Sequence, residues 1–96
     1  MAQFKLDKLV MTRSIAAQIE ESSDFREYVL QCLQRYGRCD WGNKSEYDRQ
    51  ANDSAVANND GRIFASYEDE THSDWHIWII TEADRSYTTV LFPSDY

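Results

Sequence analysis

Glu82, Asp84 and Arg85 fall within one short polar stretch, "TEADRS", set between two apolar runs. Paired carboxylates beside a guanidinium recur in acid/base catalysis and in phosphate chemistry, where one group moves a proton and another steadies charge. Adjacency in sequence is a weak warrant for that chemistry, because neither a glycine-rich phosphate loop nor a neighbouring histidine accompanies the three residues. The same letters make a good turn: Asp84 can bond the backbone two residues on, and Arg85 can pair with a nearby carboxylate. The turn is the preferred reading, and no catalytic residue is assigned.

His72 and His76, with Asp69, Glu70 and Asp74, form a second suggestive group, since imidazole and carboxylate together bind zinc and similar ions. On an extended segment residues four apart lie about 13 Å from each other, so the two histidines share an ion only if the loop folds back sharply. An acidic hairpin loop is the simpler expectation. No metal ligand and no cofactor are assigned. Cys32 and Cys39 have no zinc-ligand spacing; both are expected as free thiols, with Cys32 a small core residue.

These groups must be held by two halves of different periodicity. In "SSDFREYVLQCLQRYG" the residues Phe25, Tyr28, Val29, Cys32, Leu33 and Tyr36 recur at three- and four-residue steps, which predicts a helix with one buried face. Asp24, three residues before Glu27, resembles a capping box, and Gly37 is placed to close the helix in the left-handed conformation. A second helix is expected after Ser45 as N-cap, with Tyr47, Ala51 and Ala55 at four-residue steps and "NNDG" as its stop. "TRSIAAQIEE" reads as a short third helix with Ile15, Ala16 and Ile19 inward, and "FKLDKLVM" as a strand. Trp41, in the loop "RCDWGNK", either caps a core edge or contacts a partner.

From Arg62 the period becomes two. "RIFASY" sets Ile63, Ala65 and Tyr67 on one side, and "WHIWIIT" and "YTTVLF" alternate in the same way, so three hairpin-linked strands are expected. "WHIWII" is apolar on both sides and belongs at the sheet centre. The fold class is therefore α+β: two main helices and a short third, packed on one face of an antiparallel sheet of three or four strands. The 96 residues are expected to form a single domain, 1–96.

The net charge is −7, with 17 Asp+Glu against 10 Lys+Arg. Such a balance argues against direct binding to nucleic acid or to an anionic membrane. Lys5, Lys8 and Arg13 against Asp7 leave the first thirteen residues net positive, so the remainder carries the whole acidic excess. That acidic body suits a basic partner. No apolar run reaches the ~20 residues of a membrane span, and the start lacks the apolar core of a signal peptide, so a cytoplasmic location is expected.

The segments "MTRSIA", "YVLQCLQRYGRCDWG", "QANDSAV" and "IWIITEADRSYTTVLFPSDY" resemble a family of small proteins carried on bacterial plasmids, conjugative elements and prophages. The match covers most of residues 10 to 96 and is most specific in "DWG" and "WIITEADRS". That family has no established activity or catalytic residues, so the resemblance implies only a setting: an accessory protein of mobile DNA in a bacterial cytoplasm. Asn58-Asn59-Asp60 departs from the more charged, helix-favouring residues of the family, which implies a shorter second helix.

Trp41, Trp75, Trp78, Tyr67, Tyr87 and Tyr96 exceed what so small a core needs, and with the charge and the resemblance they point to a non-enzymatic interaction protein, monomeric or homodimeric. Its expected partner is a basic host protein such as a nucleic-acid-binding defence nuclease of the restriction or CRISPR type, inhibited by DNA-like negative charge. The candidate contact residues are Glu46, Asp48, Asp53, Glu68, Asp69, Glu70, Asp74, Glu82, Asp84, Arg85 and Trp41. Two alternatives stand beside this reading. One is a small metal- or acid/base-dependent hydrolase using the Glu82/Asp84/Arg85 turn, and the other a dimeric structural accessory protein.

Overall fold

A computed structural model describes residues 8–96. The chain runs through β1 (Leu9–Met11), α1 (Arg13–Glu21), α2 (Ser23–Gly37), α3 (Glu46–Asn58), β2 (Ile63–Glu68), β3 (His76–Thr81) and β4 (Thr88–Leu91), and closes with a 3-10 turn at Pro93–Asp95. The three helices and four strands make an α+β fold, with strand order β1-β4-β3-β2. The doubly apolar segment is interior, as expected: β3 pairs antiparallel with both β2 and β4.

The sheet is mixed rather than wholly antiparallel, because β1 lies parallel to β4 in the register Leu9↔Thr88, Val10↔Thr89, Met11↔Val90. Three residues of alternation specify a strand but not its direction. The direction is set by tertiary bonds at its end, where the Thr12 N–H donates to the Val90 carbonyl and the Thr12 hydroxyl to Asp95. Of the strand expected from "FKLDKLVM", the part before Lys8 lies outside the described residues.

The helical layer meets one face of the sheet. Ile15, Phe25, Val29, Cys32 and Tyr36 pack on Ile63, Ala65, Tyr67, Ile77, Ile79 and Val90 in one buried cluster. At roughly 25 cal/mol per Å² of apolar surface removed from water, such burial is the main force holding the layers together. A chain of buried hydroxyls ties α2 to the two central strands: Tyr36 Oη lies 2.6 Å from Thr81 Oγ1, which lies 2.8 Å from Thr88 Oγ1. On the opposite face Trp78 packs edge-on against Phe64 and Tyr96, while Ile80 and Leu91 are buried.

Helix ends depart from the sequence expectations in instructive ways. Ser22, not Asp24, caps α2: its Oγ accepts the Phe25 N–H at 3.1 Å, while its own N–H donates to the Gln18 carbonyl at the end of α1. One residue thus ends one helix and starts the next. Gly37 remains helical, and Cys39 takes the left-handed conformation with φ 65. The Cys39 and Asp40 N–H groups donate to the carbonyls of Tyr36 and Arg35, a Schellman closure two residues later than expected. A left-handed cysteine costs roughly 1–2 kcal/mol, and the Arg35–Asp40 ion pair at 2.7 Å helps hold it.

In α3, Ser45 is the N-cap as expected, its Oγ accepting from Asp48 N–H, and the helix runs to Asn58 before the left-handed Asn59 closes it. Its inward face differs from the expected one. Tyr47 is 81% exposed and Ala51 exposed, whereas Asn52 and Ala55 are buried. Asn52 is inside because its amide replaces a missing strand: Nδ2 donates to the Phe64 carbonyl at 2.9 Å, and Oδ1 accepts the Phe64 N–H at 3.2 Å. Further along β2, the Ser66 N–H donates to Trp41, its carbonyl accepts from Asn43 N–H, and Asn43 Oδ1 accepts the Glu68 N–H.

Candidate partner-binding surface

The acidic candidates divide into three groups, on α3, at the β3–β4 turn and around the β2–β3 loop. Glu46 and Asp48 lie in the first turn of α3, where the helix dipole favours them, and each faces a cation at 3.7–3.8 Å, Arg49 and Lys44 respectively. Asp53 is engaged by Trp41, whose Nε1 donates to it at 2.9 Å. Trp41 is itself 2% exposed and packs edge-to-face on Tyr36, which places it in the core and removes it from any contact surface.

Glu82, Asp84 and Arg85 form the β3–β4 turn. Asp84 Oδ1 accepts the Ser86 N–H at 2.9 Å, as expected, and the bonds from Ser86 hold its carboxyl below the usual range. Arg85 departs from the expectation of a carboxylate partner. From a left-handed backbone its guanidinium donates to carbonyls, to Gly61 at 2.7 Å and to Ala55 at 2.8 Å, with Ala83 and Glu82 more distant. Ala55 is near the C-terminus of α3, where exposed carbonyls carry partial negative charge, so the cation ties the turn to the helix end.

The third group sits at the end of β2 and on the β2–β3 loop, at the other end of β3, roughly 16 Å away along the strand. Asp69 organises it. Its Oδ2 accepts from Thr71 Oγ1 at 2.7 Å, from Thr71 N–H at 3.1 Å and from His72 N–H at 3.0 Å, and lies 2.9 Å from His72 Nδ1. The Thr71 and His72 bonds hold the Asp69 carboxyl below its ordinary value. The His72 ring stacks on Trp75 at 3.7 Å, and Trp75 is anchored to α2 by Phe25, by Tyr28 and by a 2.8 Å bond from the Tyr28 hydroxyl to the Trp75 carbonyl.

Between this loop and α2 lies a cleft of about 360 Å³ bordered by Glu68, Asp69, Glu70, Arg35, Gln31 and Tyr28. Cys32 forms part of its wall; burial pushes its thiol up to about 11, so it stays protonated and is a poor nucleophile at neutral pH. Burial likewise raises the Tyr28 phenol. His76 lies apart from His72, with its Nε2 2.9 Å from Ser66 Oγ and 3.9 Å from Glu68. Among the described residues no three His, Cys, Asp or Glu side chains are arranged to hold a metal ion. Both cysteines are free.

Glu68 at the end of β2 and the loop residues Glu70 and Asp74 are exposed, and Asp69 is half-buried beneath its hydrogen bonds. Sequence reading found these residues by charge alone. The scaffold of Thr71, His72, Trp75 and Tyr28 was missed, because it depends on a loop folding back on a helix some forty residues earlier. Among the described residues no helix is long and apolar enough to cross a membrane. Compared with protein-family models, with curated proteins and with solved structures, the chain gives no match.

Proposed function

We propose that this chain is a non-enzymatic interaction protein that presents the β2–β3 loop, with Glu68, Asp69, Glu70 and Asp74, to a basic groove of a nucleic-acid-binding protein. The observation that carries the reading is the prior organisation of that loop. Four carboxylates within seven residues repel one another, yet Asp69, the His72–Trp75 stack and the Tyr28 bond tie the segment to itself and to α2. A loop ordered in advance loses less entropy on binding, and its charge accelerates encounter with a cationic surface. The partner class is the one the mobile-DNA setting implies, a defence nuclease whose DNA channel would accept carboxylates in place of phosphates.

The test uses the partner recovered from bacterial lysate and measures its affinity across a salt series, with and without duplex DNA. The variant replaces Glu68, Glu70 and Asp74 by their amides and leaves Asp69 to hold the loop. Binding should weaken about tenfold in the variant, fall as salt shortens the ~8 Å screening length, and be displaced by DNA. Affinity that ignores both salt and DNA overturns the reading.

A further inference from the structure

Among the described residues, the β1 side of the sheet has no partners like those that line β2. The Lys8 carbonyl accepts from Thr88 N–H at 2.8 Å and the Thr12 N–H donates to Val90 at 3.1 Å, so alternate residues from Lys8 to Thr12 turn their backbone toward β4. Leu9 and Met11 therefore direct their N–H and C=O groups away from the sheet, and among the described residues nothing bonds to them. Their side chains are 41% and 40% exposed. An edge with outward backbone groups and apolar side chains is a template for another strand.

We propose that β1 pairs antiparallel with β1 of a second copy of this chain, about a twofold axis at Val10, so that one sheet runs through both subunits. The register follows from the backbone. Leu9 faces Met11 of the second copy as a hydrogen-bonded pair, and the symmetric pair repeats it, which uses every outward N–H and C=O of both residues. Side chains agree: Leu9 meets Met11 on the helical side, and Val10 meets Val10 on the other.

Charge completes the match. Lys8 is exposed and falls opposite Thr12 of the second copy, on the same face by alternation. The Thr12 hydroxyl donates to Asp95 at 2.7 Å, so each Lys8 ammonium comes to a carboxylate, twice by symmetry. A twofold contact requires a surface complementary to itself, and this edge is so in backbone, apolar contact and charge. The edge at β2 cannot serve, since Asn52, Trp41 and Asn43 already occupy it. This pairing does not depend on the basic-partner reading.

The test combines sedimentation over a concentration series with directed cross-linking of the full chain in a Cys39→Ser background. Opposed residues of a non-hydrogen-bonded pair have Cα atoms about 4.5 Å apart, within disulfide range. Val10→Cys should therefore give a covalent dimer on mild oxidation. Leu9→Cys and Met11→Cys should each stay monomeric alone and cross-link when mixed. Lys8→Glu, at an exposed position that leaves folding intact, should weaken dimerisation about tenfold. A chain that stays monomeric at every concentration, with no Val10→Cys cross-link, overturns the proposal. So does a dimer in which Val10→Cys fails to cross-link, or equal cross-linking of all three cysteine variants, which would mark random collision.

Discussion

β2 and β1 end the same sheet by opposite means. Along β2 the outward backbone groups of Phe64, Ser66 and Glu68 are met by Asn52 from α3 and by Trp41 and Asn43 from the loop before it. Along β1 no described residue does the same, and the strand is only three residues long. A strand end can be guarded by occupancy or by brevity. Occupancy fixes α3 and the preceding loop in place; brevity leaves a short stretch available to a matching strand.

The largest effect should come from Gly42, which forms a parallel bridge with Ser66 at φ +74. A methyl group there would drive into the Ser66 carbonyl and the ring of the core residue Tyr67. Gly42→Ala should cost about 3 kcal/mol or more in urea unfolding, since it adds backbone strain to a clash. A loss under about 1 kcal/mol would mean that this stretch does not grip β2.

Asn52→Ala comes next. It leaves the Phe64 N–H and C=O without their partner, and an unmet buried group costs about 1–3 kcal/mol. The expected loss is about 2–3 kcal/mol, with faster hydrogen exchange at the Phe64 amide and none at Val10. Equal acceleration at both amides would show that the two edges are not independent.

The smallest effect belongs to the β1 end, where Asp95 accepts from Thr12 and Ser14 hydroxyls and from Phe92 N–H. The Thr12 bond, foremost, lowers the Asp95 carboxyl below its ordinary value. A depressed folded-state value contributes stability that is present above the unfolded value, near 3.9, and lost as pH falls through the folded one. Asp95→Asn should therefore be slightly less stable than the parent at pH 7, with the difference starting to fade near pH 4 and lost as pH falls through the lower folded-state value. A difference that persists in acid would assign the effect to shape rather than charge.

Local pattern made much of this fold legible. Alternation placed Ile63, Ala65 and Tyr67 inward, helical spacing placed Phe25, Val29 and Cys32, and the Ser45 cap and the Asp84 turn follow from their own neighbours. What escaped was decided by distant partners. Asn52 is polar and reads as surface until the bare edge of β2 is known, and Arg85 reads as a carboxylate partner until the end of α3 lies beside it. For the candidate surface, charge marked the acidic loop, but nothing near Asp69 in sequence reveals that Tyr28 steadies it.

Ser22 has a consequence for how the protein tolerates change in length. Because it closes α1 and opens α2 without a spacer, the rotational phase of one helix is geared to the other. A residue inserted near the end of α1 would turn the preceding part of that helix by about 100°. Ile15 would then swing out of the core while Phe25 stayed within it. Insertions are ordinarily absorbed between helices; here the elbow transmits them, and the length of the chain across Ser22 is as constrained as any buried side chain.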